Sequence, residues 1–288
     1  MIKINEKADL HMHSTASDGS YKPEELMKKC AEAGLTLVSL TDHDTTQGIA
    51  PAKRAAEDLG MKFINGIELS SRAKGKHVDI LGYGINPDHG PLQDALTFQQ
   101  NMRVERMVKM LEKCKDEGMA ISFEEVKVYA KGDTLSRPHV AKVMVEKRYA
   151  SDVKEAFRKY LADGKPCYVP KEKEMTPAEA IDLIHDAGGL AIVAHPVFYS
   201  LDDEIFKWLV SGGLDGVEVY HRDHDKAAVS RFEALAAKAE AERGKAVLVT
   251  GGSDFHHESF GRAGELLGET KLPYEHGQLL YNILMNKV

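Results

Sequence analysis

The chain is poor in cysteine. Cys30, Cys114 and Cys167 are the only three in 288 residues. They lie far apart with no CxxC pair, so neither a disulfide framework nor a thiolate zinc site is on offer. Long apolar runs are also missing. No stretch approaches the ~18 residues a membrane-spanning helix requires, and the opening "MIKINEKADLHMH" lacks the apolar core of a signal peptide. Basic charge is in deficit, with 38 Lys and Arg against 45 Asp and Glu and a net charge of −7. A sequence-independent grip on duplex DNA needs the opposite balance. There is no GxSxG elbow and no GxxxxGK[ST] loop, which removes the serine-hydrolase and P-loop routes. What remains is a soluble protein expected in the cytoplasm with reduced thiols. Hydrophobic residues make up 43% and charged residues 29% of it, enough for a buried core. A small anionic substrate stays open to it, because bound cations make a pocket locally positive.

Seven short apolar runs are present: "ADLHMH", "LTLVSLTDHD", "KFINGIELS", "HVDILGYGI", "LAIVAHP", "GVEVYH" and "AVLVTGGSDFH". Each is about strand length and rich in Val, Ile and Leu, the pattern of buried parallel strands. Helices with clear end signals separate most of them. Pro23 and Glu24 open one that Gly34 closes. Thr176, Pro177 and Glu179 form a capping box for another that ends at Gly188, and "RFEALAAKAEAERG" ends at Gly244. This alternation predicts an α/β sheet or barrel. Residues 92–165 break the rhythm, with helical patterns and no convincing buried strand. They read as a helical insertion over one end of the α/β domain, between a first barrel part at 1–91 and a second at 166–288, with "GKPCYVPKEKEM" leading back.

The chemically capable residues fall at strand ends. His11 and His13 end the first run, two apart and so on one face of a strand. Asp42 and His43 end the second and Glu68 the third, while Asp79 lies in the fourth. His195 ends the fifth, Glu218 and His221 lie around the end of the sixth, and Asp254 and His256 follow the seventh. A parallel barrel gathers the C-terminal ends of its strands on one face, so these residues converge at one mouth. Imidazoles and carboxylates without thiolates suit Mn²⁺, Fe²⁺ or Zn²⁺. There are too many of them for one ion, which predicts two or three ions sharing a bridging carboxylate. Singly, each motif is ordinary: an HxH is often incidental, and "TDHD" reads equally as a helix cap. Their joint arrival at successive strand ends points to metal chemistry. Asp42, beside His43, is expected either to orient an imidazole or to cap the next helix.

The motifs "DLHMHSTASDG", "TDHD", "GIELS", "AHP" and "GGSDFH" closely resemble the PHP (polymerase and histidinol phosphatase) superfamily over nearly the whole chain. "SRPHVA", "GKPCYVP" and "AEAIDLIHDAGGLAIVAHP" resemble its stand-alone bacterial phosphoesterases, which remove the 3′-phosphate of nucleoside 3′,5′-bisphosphates; some relatives trim short RNA from the 5′ end. The resemblance implies a distorted seven-stranded (β/α) TIM-like barrel with a small helical insertion domain. It implies a phosphoester hydrolase using a metal-bridging hydroxide, with Mn²⁺ first and Fe²⁺ or Zn²⁺ as alternatives. His11, His13, Glu68 and Asp254 would hold one ion. Glu68 would bridge to a second with His195, and Asp18, His43 and His256 would hold a third. The family usually has His just before "ILG"; this chain has Asp79, and either Asp79 or His77 would complete the site of the second ion. Arg137, with Ser136 and His139, would anchor a second phosphate, or else "SRPH" is a surface helix start with Pro138 in its first turn; His221, after the sixth strand, reads either as the proton donor to the leaving oxygen or as a solvent-facing loop histidine. Apart from the resemblance, His224, His257, Lys165 and Arg262 are further sources of positive potential, none of them assigned a role. Histidinol phosphate is the alternative substrate, and a metal-binding module with decayed chemistry the alternative of another class.

Overall fold

The computed structural model describes residues 6–129, 135–170, 173–258, 266–269 and 271–286. Among them the chain forms two compact units, one of residues 1–93 with 175–288 and one of residues 94–174.

The larger unit carries one seven-stranded sheet: β1 (Ala8–Asp9), β2 (Leu37–Leu40), β3 (Lys62–Ala73), β4 (Lys76–Tyr83), β5 (Leu190–Val193), β6 (Gly216–His221) and β7 (Leu248–Gly252), hydrogen-bonded in that order. It curls into a nearly closed barrel. The segment after β7 returns to the segment after β1 through Asp254 N–H to the His11 carbonyl at 2.7 Å and His13 N–H to the Phe255 carbonyl at 2.9 Å. Gly252 permits that approach, because a Cβ there would collide with the His11 backbone.

β4 departs from the all-parallel sheet that the apolar runs predict. It runs antiparallel to both β3 and β5. The reason is local: only Lys74 and Gly75 separate β3 from β4, both with positive φ of 50° and 78°, the signature of a tight two-residue hairpin. The reversal matters for the site. The N-terminal half of β4, not its C-terminal end, lies at the rim where the other strands finish, so Asp79 pairs with Ser70 beside Glu68.

Helices α1 (Pro23–Glu32) and α2 (Ile49–Asp58) follow β1 and β2. In the chain between the two parts of the barrel come α3 (Gly90–Asp116), α4 (Phe123–Tyr129), α5 (Arg137–Glu146) and α6 (Val153–Ala156). After them come α7 (Pro177–Asp186), α8 (Asp202–Ser211), α9 (Lys226–Arg243) and α10 (Tyr274–Met285). The end signals act as read. Thr176 and Glu179 close a reciprocal capping box on α7, worth about 1 kcal/mol, and Gly244 ends α9 in the left-handed region at φ 65°. Leu10, Leu37, Ile64, Leu81, Tyr83 and Ile192 fill one barrel core with Leu280 and Leu284 of α10.

The smaller unit has its own core, including Met110, Cys114, Val126, Val140, Met144 and Leu161. Cys167 and Val169, in the stretch read as leading back to the barrel, are buried in that helical core.

Candidate metal centre

Glu68, fully buried on β3, is the centre of the constellation. Its Oε2 lies 3.2 Å from His11 Nε2, 3.2 Å from His13 Nε2 and 3.2 Å from His43 Nδ1, and its Oε1 lies 3.0 Å from His195 Nε2. Asp254 Oδ1 stands 3.1 Å from His13 Nε2 and 3.7 Å from His11 Nε2. Asp18 Oδ1 stands 3.3 Å from His256 Nε2 and 3.9 Å from His13 Nδ1. Four groups could each hold an ion, their ligand atoms within 4.8 Å of one another: His11, Glu68 and His195; His11, His13 and Asp254; His13, Asp18, His43 and His256; and His43, Glu68 and Asp79. They share members, so the fold brings all nine predicted ligands into one continuous cluster. Of the two candidates on β4, Asp79 is in a group; among the described residues no group includes His77. The Asp18 side chain is 42% exposed and that of Glu68 0%, so the cluster opens to solvent on the Asp18 side.

The backbone is bent to aim these groups. His195 has φ 22° and Asp254 φ 50°, conformations a non-glycine residue holds only under constraint, commonly at functional sites. For His195 the constraint is visible. Its N–H donates to Glu218 Oε2 at 2.8 Å, and its ring lies between Glu68 and the Tyr199 hydroxyl, 2.8 Å from Nδ1.

The charges are strongly coupled. Burial pushes the Glu68 carboxyl up, but the His43 and His11 imidazoles more than offset that and hold it well below the usual range. Burial likewise pulls His13 down, yet Asp254 and Glu68 carry it up to about 10, and Glu68 carries His195 to about 9. His43 is held low, burial outweighing Glu68 and Asp18.

Do these residues fit divalent ions? His13 is buried with neither ring nitrogen hydrogen-bonded, and the same holds for His43 Nδ1. A buried polar atom without a partner costs about 1–3 kcal/mol, so these nitrogens need an explanation. His13 Nε2 and His43 Nδ1 nonetheless stand 3.1–3.2 Å from carboxylate oxygens, off the hydrogen-bonding direction, and His13 Nδ1 stands 3.9 Å from Asp18 Oδ1. Two ligands bonded at about 2.1 Å to one octahedral ion stand about 3 Å apart. The orphaned nitrogens, their spacing and the mixed N/O donor set fit divalent cations.

A surrounding layer holds several of these side chains. His11 Nδ1–H donates to Glu218 Oε1 at 3.0 Å, and His256 Nδ1–H donates to the Asp254 carbonyl at 2.9 Å. Both leave Nε2 with its lone pair facing the cluster. Arg222, buried, donates to Asp254 Oδ2 at 2.7 Å and to the Ser253 carbonyl at 3.1 Å. Asp42 holds no imidazole. It accepts from Ser14 N–H and Oγ–H at 2.7 Å each and from Ser17 Oγ–H at 2.6 Å, pinning the loop that carries His13 and Asp18. Sequence reasoning placed Glu218 at a strand end without a role and passed over Tyr199 and Arg222. The available signal was their spacing, four residues after His195 and four after Glu218.

Tyr199 gives the first prediction. Its hydroxyl accepts from Asp79 N–H at 3.0 Å and meets His195, so it couples the two residues expected around a second ion. Tyr199→Phe is expected to weaken metal binding about 10- to 100-fold, measured by competition against a chelator. Unchanged affinity would show that His195 needs no such support.

His221 is wholly buried, not on a solvent loop. Its Nδ1 accepts from Asp223 N–H at 3.2 Å, so the neutral ring carries its proton on Nε2, which has no hydrogen-bond partner and stands 3.5 Å from Asp254 Oδ2. Arg137 opens α5 in the smaller unit. It donates to the Leu161 carbonyl at 3.2 Å and Asp163 at 3.3 Å, and lies over the rings of Phe157 and Tyr168. Ser136 and His139 engage each other at 3.3 Å as the cap of that helix. Arg262 lies outside the described residues.

A family model described as the PHP domain matches residues 9–162. The chain is 34% identical over 269 residues to the 3′,5′-nucleoside bisphosphate phosphatase of Chromobacterium violaceum, covering 91% of each. It is 35% identical over 257 residues to the 5′-3′ exoribonuclease Rnm of Escherichia coli, covering 86% of this chain and 84% of that one. It matches a solved structure of a metal-dependent phosphoesterase from Bifidobacterium adolescentis with a TM-score of 0.80 at 26% identity, over 96% of both chains.

Proposed function

The chain belongs to the PHP family of metal-dependent phosphoesterases, and on that premise we propose that it removes the 3′-phosphate from nucleoside 3′,5′-bisphosphates and trims short RNA from its 5′ end. The convergence of four imidazoles on the Glu68 carboxylate carries this reading, and the relatives named for those two activities support its substrate class.

His11, His13, Glu68 and Asp254 hold one ion in this proposal. Glu68, His195 and Asp79 hold a second, and Asp18, His43 and His256 a third. Mn²⁺ is the proposed occupant, since the set is rich in carboxylates and free of thiolates, with Fe²⁺ or Zn²⁺ as substitutes. The chemistry such ions supply when bound is a hydroxide near neutral pH and neutralisation of the phosphoryl oxygens. The protein's own part is positional. Glu218 and the Asp254 carbonyl set the tautomers of His11 and His256, and the rim between Asp18 and His43 admits the phosphate. The Nε2–H of His221 is the proposed hydrogen-bond donor to the leaving oxygen. The enzyme is placed in the cytoplasm, where its three free, buried thiols stay reduced.

Arg137, with Ser136 and His139, is the proposed anchor of the second phosphate. Arg106 stands over the same Tyr168 ring, and burial together with Arg137 pulls its pKa down. Cations pressed together this way are relieved by a bound anion. Arg137→Ala is expected to lower kcat/KM for adenosine 3′,5′-bisphosphate about 10- to 100-fold, as loss of hydrogen bonds to a charged group does, while sparing a small phosphate monoester. Equal losses on both would remove Arg137 as the anchor. Faster turnover of histidinol phosphate than of the bisphosphate would overturn the substrate assignment.

A further inference from the structure

Phe198 is the most exposed phenylalanine among the described residues, at 56%. A lone exposed apolar side chain is ordinary; its position here is not. The ring closes the short turn Pro196–Phe198 that directly follows His195. Its centroid is 5.5 Å from the His195 ring and 6.1 Å from that of His221, which it meets edge-on at 84°. The turn is rigidly held. Phe198 N–H donates to the His195 carbonyl at 3.2 Å, and the next residue, Tyr199, is buried with its hydroxyl on the His195 ring. Ser200 and Leu201, which follow the turn, line a cavity of about 400 Å³ with Lys74, Asp202, Asp203, Glu204 and Arg231. A fixed, flat, solvent-facing ring thus stands at the edge of a phosphate-cleaving cluster. A nucleotide held there by its phosphate carries a base only a sugar's length away, and every base has a face that stacks on an aromatic ring.

We propose that Phe198 is the stacking platform for the nucleobase of the substrate, a specificity residue that favours phosphoesters carrying a base over base-free ones. This rests on the nucleotide reading above. The test compares adenosine 3′,5′-bisphosphate with the same bisphosphate on a sugar bearing no base, using wild-type protein, Phe198→Ala, Phe198→Leu and Phe198→Trp, each checked for metal content and melting temperature. Phe198→Ala and Phe198→Leu are expected to raise KM for the nucleotide about tenfold or more and to change neither kcat nor turnover of the base-free substrate by more than about twofold. Phe198→Trp is expected to restore KM. The leucine variant keeps apolar bulk, so a loss through packing alone would spare it. Equal losses on both substrates, or no rise in KM, would overturn the platform while leaving the bisphosphate reading intact. Wild-type protein that releases phosphate from neither substrate would overturn both.

Discussion

Glu68→Gln is expected to lower phosphoesterase activity about a thousandfold and to strip the protein of metal. The amide keeps the shape of the carboxylate, so β3 and the barrel core should be undisturbed. What changes is charge: among the described residues, Glu68 is the one carboxylate within 3.2 Å of His11, His13, His43 and His195 together. Without it these imidazoles lose their common counter-charge, and the first two proposed ions lose the ligand they share. Metal analysis of the purified variant, phosphate-release assays and a thermal melt measured together distinguish this from unfolding. A variant that keeps its metal and works within tenfold of wild type would show that Glu68 bridges nothing.

The second large effect concerns Arg222, which reaches Asp254 from behind. Its side chain is 1% exposed and it donates to both the carboxylate and the carbonyl of Asp254. Arg222→Met keeps most of the length and leaves Asp254 buried without its cation. Breaking a buried pair by removing one partner costs about 3–5 kcal/mol, and the midpoint of urea unfolding should fall accordingly. Because Asp254 sits at φ 50°, losing its tether should also let the backbone relax and draw Oδ1 away from His13. Weaker metal binding is therefore expected alongside lower stability, and titration of the apo-variant with Mn²⁺ reads it. A change below about 1 kcal/mol would mean that the His13 and His221 side of Asp254 suffices to hold it.

The parts of the site readable in the sequence are those tied to strand ends. His11, Glu68, His195 and Asp254 each close an apolar run, and a barrel collects such ends whatever their distance along the chain. The helices flanking them announce themselves through Thr176, Pro177 and Gly244. Two things were not readable. The first was the direction of β4, although the six residues between "GIELS" and "HVDILG" are too few for a crossover helix, and Lys74-Gly75 is a hairpin signal. Missing it hid why Asp79, in the middle of a strand, reaches the rim. The second was the supporting layer. Glu218, Tyr199 and Arg222 act through hydrogen bonds across the barrel, and nothing in a one-dimensional spacing separates a buried tyrosine that holds an imidazole from one that fills a core. Asp42 shows the converse. Its place beside His43 suggested a partner for that ring, whereas its oxygens take the Ser14 and Ser17 donors of a distant loop.

The central claim is that side chains from distant segments form one cage for several divalent ions. Anomalous diffraction from a Mn²⁺-loaded crystal tests it most directly. The account predicts two or three peaks, with one between His13 and Asp254, one between Glu68 and His195, and a third among Asp18, His43 and His256. No peak within bonding distance of Glu68, or manganese held only elsewhere on the molecule, would contradict it.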